Sequence, residues 1–328
     1  AADLRGGVLL RRWQRVVLRV RAGDVPRHAS VGELRRVPGG DAVPAQRDQQ
    51  PRELLLQRGD VLAVDVKRER VHRVARVRGR GGRGLRLGWR LGGGKMWIGN
   101  ADIADVAIIW AKTEGLDVDA DSSKAIRGFL VPTDRPGFEA ELIRNKYSLR
   151  VGRTSRISLE DVPVTEDDLL PESGGLRSPL SCLDQARFGI AWGVIGAAEA
   201  CLEDVVRHAG GREVFGKTLD HYQLTQDKMS ECWIRIVQMQ AIAHRLADLK
   251  AGGDGTGPQV SLAKTSACES AQIVARICRD LLGGVGILDD HCVMRHMINL
   301  ESVATYEGTR DIHRLVLGRE LTGVSAFF

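Results

Sequence analysis

Aromatic residues make up only 5% of these 328 residues, and no apolar run approaches the roughly 20 residues that a membrane-spanning helix needs. The longest runs, such as 103–111, are interrupted by charges like Asp105, so no membrane association is expected. Cysteine is also scarce. All six lie between Cys182 and Cys292, with no C-x-x-C pair and no grouping with histidine at metal-ligand spacing. A zinc site and a disulfide framework are therefore not expected, and the thiols read as a reduced intracellular set.

The first ninety residues lack lysine and aromatics in particular. They hold 21 Arg and one Lys against nine Asp and Glu, a net +13, and leave the remainder of the chain at −7. The overall +6 and the pI near 9.1 thus belong to this stretch alone. An Arg-rich RNA-binding arm normally interleaves aromatics for base stacking, but only Trp13 and Trp89 are present. A transit peptide is short, Ser-rich and poor in acids, whereas this segment is long and has Ser30 alone. Its arginines, such as Arg73, Arg76, Arg78, Arg80, Arg83 and Arg86, follow neither a helical stripe nor a strand alternation. Residues 1–88 read as disordered chain or as a frame-shifted translation, and no nucleic-acid partner is expected.

From Gly88 onward the pattern is that of a folded protein. Short β-type runs at 96–98, 106–111, 127–132, 157–159 and 162–164 are punctuated by Gly and Asp, as in an antiparallel sheet, with a polar loop at 117–123 and an acidic turn at 166–168. After Gly175 the apolar spacing becomes three and four. Helices are predicted over 183–209, 219–250, 258–282 and 309–321, and four helices with short connectors predict a bundle. The expected organisation is an Arg-rich segment (1–88), a partial β-domain (89–170) and a helical domain (175–328).

The string Thr305, Tyr306, Glu307, Gly308, Thr309, Arg310, Asp311, Ile312, His313, followed by Leu317, Gly318, Thr322 and Gly323, resembles the active-site turn and last helix of the acyl-CoA dehydrogenase family, in its glutaryl-CoA branch. Segments at 95–100, 126–132, 146–150, 186–196, 212–216, 281–287 and 295–300 share the resemblance, in family order over about 240 residues. The resemblance implies an α+β fold: an acyl-CoA dehydrogenase-like antiparallel β-domain, here partial, followed by a C-terminal four-helix bundle. The family's N-terminal helical domain and the start of its β-domain have no counterpart here, their places being taken by the Arg-rich stretch.

The chemistry requires removal of a proton α to a thioester and of a hydride from the β carbon. A carboxylate removes the proton only if its site brings it within hydrogen-bond reach and tunes its pKa. Glu307, beside Gly308 and ahead of a helix starting near Thr309, fits that role. The bland alternative is an acid meeting the helix dipole, which Asp311 serves equally well. The resemblance further implies FAD as hydride acceptor, with the backbone N–H of Glu307 as one donor to the thioester oxygen. It assigns flavin contacts to Trp97, Ile98 and Gly99, to Arg212, Phe215 and Gln223, to the glycine-rich run Leu282, Gly283, Gly284 and Gly286, and to Thr309. Tyr306, Gly308 and Arg187 are assigned to substrate. Gly99 stands where the family usually has Thr or Ser. The implied partners are an acyl-CoA, electron transfer flavoprotein and further copies in a homotetramer. The implied location is the cytoplasm of a bacterium or the mitochondrial matrix of a eukaryote. Oxidative decarboxylation of glutaryl-CoA to crotonyl-CoA is the leading activity. Plain desaturation of another short acyl-CoA, or a catalytically impaired remnant, is the alternative.

Overall fold

The structure, a computed structural model, describes residues 70–73, 88–114 and 122–327, all within one unit, Val61–Phe328. The expectation for residues 1–88 falls almost wholly outside the described residues, as does most of the polar loop at 117–123. The exception is a strand inside the Arg-rich segment, β1 (Arg70–Arg73).

Six strands form one sheet in the order β4-β3-β1-β2-β6-β5, with β2 (Gly88–Gly99), β3 (Val106–Thr113), β4 (Ile126–Pro132), β5 (Phe138–Leu142) and β6 (Thr154–Thr165). All pairings are antiparallel except that of β1 with β3. The short runs read from sequence all lie within β2, β3, β4 and β6. Strand β5 is missed although Phe138–Leu142 alternates apolar and acidic residues, because it is a five-residue edge strand with only three apolar positions.

Two irregularities in the β2–β6 ladder decide which side chains face inward. On β6 the buried positions run Ser155, Ile157, Leu159 and then Val162, Val164. The extra residue falls at Glu160–Asp161, where Asp161 takes φ +52, so the inward face survives the change of parity. On β2 the surplus lies between Lys95 and Ile98, and there Trp97 takes φ +68. The inward residues form one core in which Trp89 meets Phe129 edge to face at 5.8 Å.

The helical domain contains five α-helices: α1 (Arg177–Gly211), α2 (Gln223–Ala251), α3 (Gly257–Leu281), α4 (Cys292–Thr305) and α5 (Arg310–Thr322). Four correspond to the predicted ones, and α4 is an addition. Its start is invisible locally because His291 at the N-cap gives no side-chain cap. The cap comes from α1, where the buried Asp204 accepts the backbone N–H of Cys292 and the Nδ1 of His291, both at 3.1 Å.

Helix α3 is central, packing against α1, α2, α4 and α5. Its start is fixed by a Thr256/Gln259 capping box and an early Pro258. Its buried residues are mostly small, including Ser261, Ala263, Ala267, Cys268, Ala271, Ala275 and Cys278, which lets four neighbours approach it closely. All six cysteines are free. No helix among the described residues is long and apolar enough to cross a membrane. The loop between β5 and β6 meets the bundle at α4, where the Leu149 N–H donates to Asn299 Oδ1 at 2.7 Å and Ser148 bonds Ser302.

Candidate active site

Helix α4 ends at Thr305, α5 begins at Arg310, and the turn between them doubles back through left-handed backbone: Glu307 has φ +57 and Gly308 φ +97. For Gly308 that conformation is easy, and a side chain there has no room, since a Cβ would lie 2.8 Å from His313 Nε2. For Glu307 it costs on the order of 1–2 kcal/mol. Two cations, the buried Lys264 and the partly buried Arg187, oppose that cost. Arg187 of α1 donates from Nε to the Glu307 carbonyl at 2.8 Å and from a terminal nitrogen to Asp184 at 3.1 Å. Lys264 of α3 donates to the carbonyls of Ala304 (3.2 Å), Tyr306 (3.0 Å) and Gly308 (2.9 Å). Charge-assisted bonds of this kind contribute roughly 1.5–3 kcal/mol each, so the turn is held where it stands.

The Glu307 carboxyl is half-buried, and its Oε2 is fully buried without a hydrogen-bond partner. Burial pushes its pKa above the ordinary carboxylate value, while Arg187 and Lys264 pull it back without touching the carboxylate. Raised pKa and an unengaged oxygen are the properties of a group able to accept a proton from a bound molecule. Asp311, the alternative acid, is an exposed residue of the first turn of α5, whose N-cap Thr309 accepts the Ile312 N–H. Beneath the turn, His313 is buried with Nδ1 3.1 Å from Ser261 Oγ. Burial, reinforced by Lys264 and Arg187, lowers its pKa to about 4.

The structure thus brings Glu307, Gly308 and Arg187 together, with Tyr306 and Thr309 flanking them. The other expected residues fall elsewhere. Trp97 is no core residue: the bulge leaves its ring 57% exposed, next to buried Ile98 and to Gly99, where a side chain would meet open space. Arg212 ends α1, and Phe215 and Gly216, at φ +50 and +81, form the tip of a two-residue hairpin between β7 (Glu213–Val214) and β8 (Lys217–Thr218). Phe215 is 97% exposed. Gln223 opens α2. Leu282 is buried at the far end of α3, Gly283 and Gly284 face open space, and Gly286 packs where a Cβ would lie 2.8 Å from the Arg279 carbonyl.

Arg212, Phe215, Gln223 and the 282–286 run occupy the opposite end of the bundle from Glu307. Arg187 and Arg212 are 25 residues apart on one helix, about 38 Å along its axis. Lys264 and Leu282 are separated by about 27 Å along α3. The Lys228–Asp280 ion pair places the start of α2 beside the end of α3.

The sequence pattern of the acyl-CoA dehydrogenase middle domain matches residues 71–162, and that of the acyl-CoA dehydrogenase C-terminal domain matches residues 173–322. The chain belongs to the acyl-CoA dehydrogenase family. Its fold is similar to that of glutaryl-CoA dehydrogenase from Mycobacterium smegmatis, with a TM-score of 0.72 and 41% identity over 80% of this chain and 63% of that one. A second structure of that enzyme, in complex with FADH2, is 42% identical at the same TM-score and coverage. The human mitochondrial short-chain specific acyl-CoA dehydrogenase is 31% identical over 234 residues, which is 71% of this chain and 56% of that relative. This acyl-CoA dehydrogenase chain therefore spans between half and two thirds of the length of these relatives.

Sequence reasoning missed Lys264, Ser261 and Asp184 as parts of this candidate site. A signal existed for Lys264: it falls in register with Val260, Ala267 and Ala271 on the apolar stripe of α3, a position where a lysine needs a buried partner.

Proposed function

We propose that this chain carries the acid–base half of an FAD-dependent dehydrogenase that converts glutaryl-CoA to crotonyl-CoA and CO2, passing electrons to electron transfer flavoprotein. The observation that carries the reading is the half-buried Glu307 carboxylate, unpaired and raised in pKa, set in a turn pinned by Arg187 and Lys264.

Glu307 takes the α-proton of the thioester. Its backbone N–H donates to the thioester oxygen and stabilises the negative charge that develops there. Tyr306, Gly308 and Arg187 line or support the substrate's place. FAD, when bound, supplies the acceptor for the β-hydride. Trp97, Ile98 and Gly99 would hold its ring, and Arg212, Phe215, Gln223, Leu282, Gly283, Gly284, Gly286 and Thr309 its nucleotide end. An exposed arginine, an exposed ring and glycines facing open space suit a dinucleotide's diphosphate and aromatic ring. Because Arg212, Phe215, Gln223 and the 282–286 run lie at the other end of the bundle from Glu307 and Thr309, a complete site draws on two copies, which supports self-association of the kind a homotetramer provides.

Decarboxylation follows from the substrate: once the α,β double bond forms, the γ-carboxylate is vinylogous to the thioester carbonyl, its electrons flow into the conjugated system as CO2 leaves, and the dienolate left behind takes a proton at its γ carbon from protonated Glu307 to give crotonyl-CoA. The 41–42% identity to a glutaryl-CoA dehydrogenase supports this substrate. The 31% identity to short-chain enzymes favours a second reading, desaturation without loss of CO2. The test is incubation of the full chain with FAD and glutaryl-CoA labelled in the distal carboxyl. Labelled CO2 together with crotonyl-CoA is expected. Oxidation of butyryl-CoA with glutaryl-CoA left unchanged would support the second reading instead.

A further inference from the structure

We propose that Lys264 is a positioning residue: by holding the carbonyls of Ala304, Tyr306 and Gly308 at once, it fixes the direction in which Glu307 presents its backbone N–H and its carboxylate. The proposal rests on the reading of Glu307 as the base.

Lys264 is 1% exposed. An ammonium buried so completely persists only where its N–H donors are satisfied, and an ammonium has three of them, one for each of the three carbonyls within 3.2 Å. A neutral amine would have two donors for the three. Only Ala304 belongs to α4. Capping that helix accounts for one bond, and the bonds to Tyr306 and Gly308 lie beyond the helix end, on either side of Glu307.

Peptide planarity turns those bonds into orientation. In a trans peptide the C=O and the following N–H point in opposite directions. With the Tyr306 carbonyl drawn inward to Lys264, the Glu307 N–H points away from α3 and out of the core. The Glu307 carbonyl is taken by Arg187 Nε, and the Gly308 carbonyl again by Lys264. Three consecutive carbonyls are thereby anchored to side chains from two different helices, and the left-handed φ of Glu307 has no room to relax. Lys264 also lies close enough to the carboxylate to pull its proton affinity down, against the effect of burial.

The test compares the full-length chain with its Lys264→Met variant by NMR. Expected in the variant is a fall of the Glu307 N–H order parameter from the rigid value of about 0.85 to below about 0.6, confined to residues 305–309. The pH midpoint of the Glu307 side-chain carboxyl should also move upward. An order parameter that stays near the wild-type value would overturn the proposal, as would loss of order spread evenly through α2 and α3, which marks a packing role. If Lys264→Met does not fold, Lys264→Gln, which keeps two N–H donors, is measured with the same two criteria. Neither readout depends on turnover. An active Glu307→Gln enzyme would remove the base assignment while the order parameter still decides whether Lys264 holds the turn.

Discussion

Arg187 and Glu307 are joined by a hydrogen bond that spans 120 residues of sequence: the guanidinium Nε of α1 meets the Glu307 carbonyl at 2.8 Å. The same guanidinium bonds Asp184, so it ties the turn to the first helix of the bundle. Replacing Arg187 with Ala removes a charge-assisted bond and leaves a partly buried carbonyl short of a donor. Urea unfolding should show a loss of about 2 kcal/mol. Arg187→Lys should recover only part of it, because a single ammonium does not reproduce the fork that serves Glu307 and Asp184 together.

The buried Glu307 carboxyl makes a second prediction, about stability and pH. Its folded pKa is raised above the ordinary value of 4.5, so the folded state holds the proton more tightly than the unfolded chain. Stability is then greatest below pH 4.5 and declines as pH rises through the folded pKa. Glu307→Gln should stabilise the chain at pH 7, with the advantage shrinking as the pH is lowered towards 4.5. Thermal melts of both proteins across pH 4.5–8 measure this, and an advantage independent of pH would contradict it.

His313 has the opposite sign. Its pKa is depressed from 6.5 to about 4, so the stability linked to its neutral form is complete above pH 6.5 and is lost as pH falls through about 4. The swing is on the order of 3 kcal/mol. Wild-type chain should lose more stability between pH 7 and pH 4.5 than His313→Gln does, as read from urea midpoints at the two values.

Asp204 is the remote cap of α4. Asp204→Ala should cost about 1 kcal/mol or somewhat more through the lost N-cap, while Asp204→Asn, which keeps an acceptor oxygen, should cost less. Amide exchange at the first turn of α4 should rise in the alanine variant first.

Much of this was legible in the sequence, and the exceptions share a cause. Four helices could be read because each carries its own apolar period, and α3 also carries its capping box in local sequence. Helix α4 could not, because its start signal, Asp204, lies 88 residues away. Glu307 was legible as the acid of a familiar turn. Its clamp was not: Lys264 and Arg187 act on backbone carbonyls, and a carbonyl leaves no trace in residue identity.

The central claim is that Glu307 removes the α-proton, and the most direct measurement is turnover of glutaryl-CoA by Glu307→Gln beside Asp311→Asn, in the full chain supplied with FAD and an artificial electron acceptor. The amide keeps the shape of the side chain and cannot accept the proton. A drop on the order of 10² to 10⁴-fold is predicted for Glu307→Gln, with near-wild-type turnover for Asp311→Asn. Retained turnover in Glu307→Gln, or equal losses in the two variants, would contradict the account.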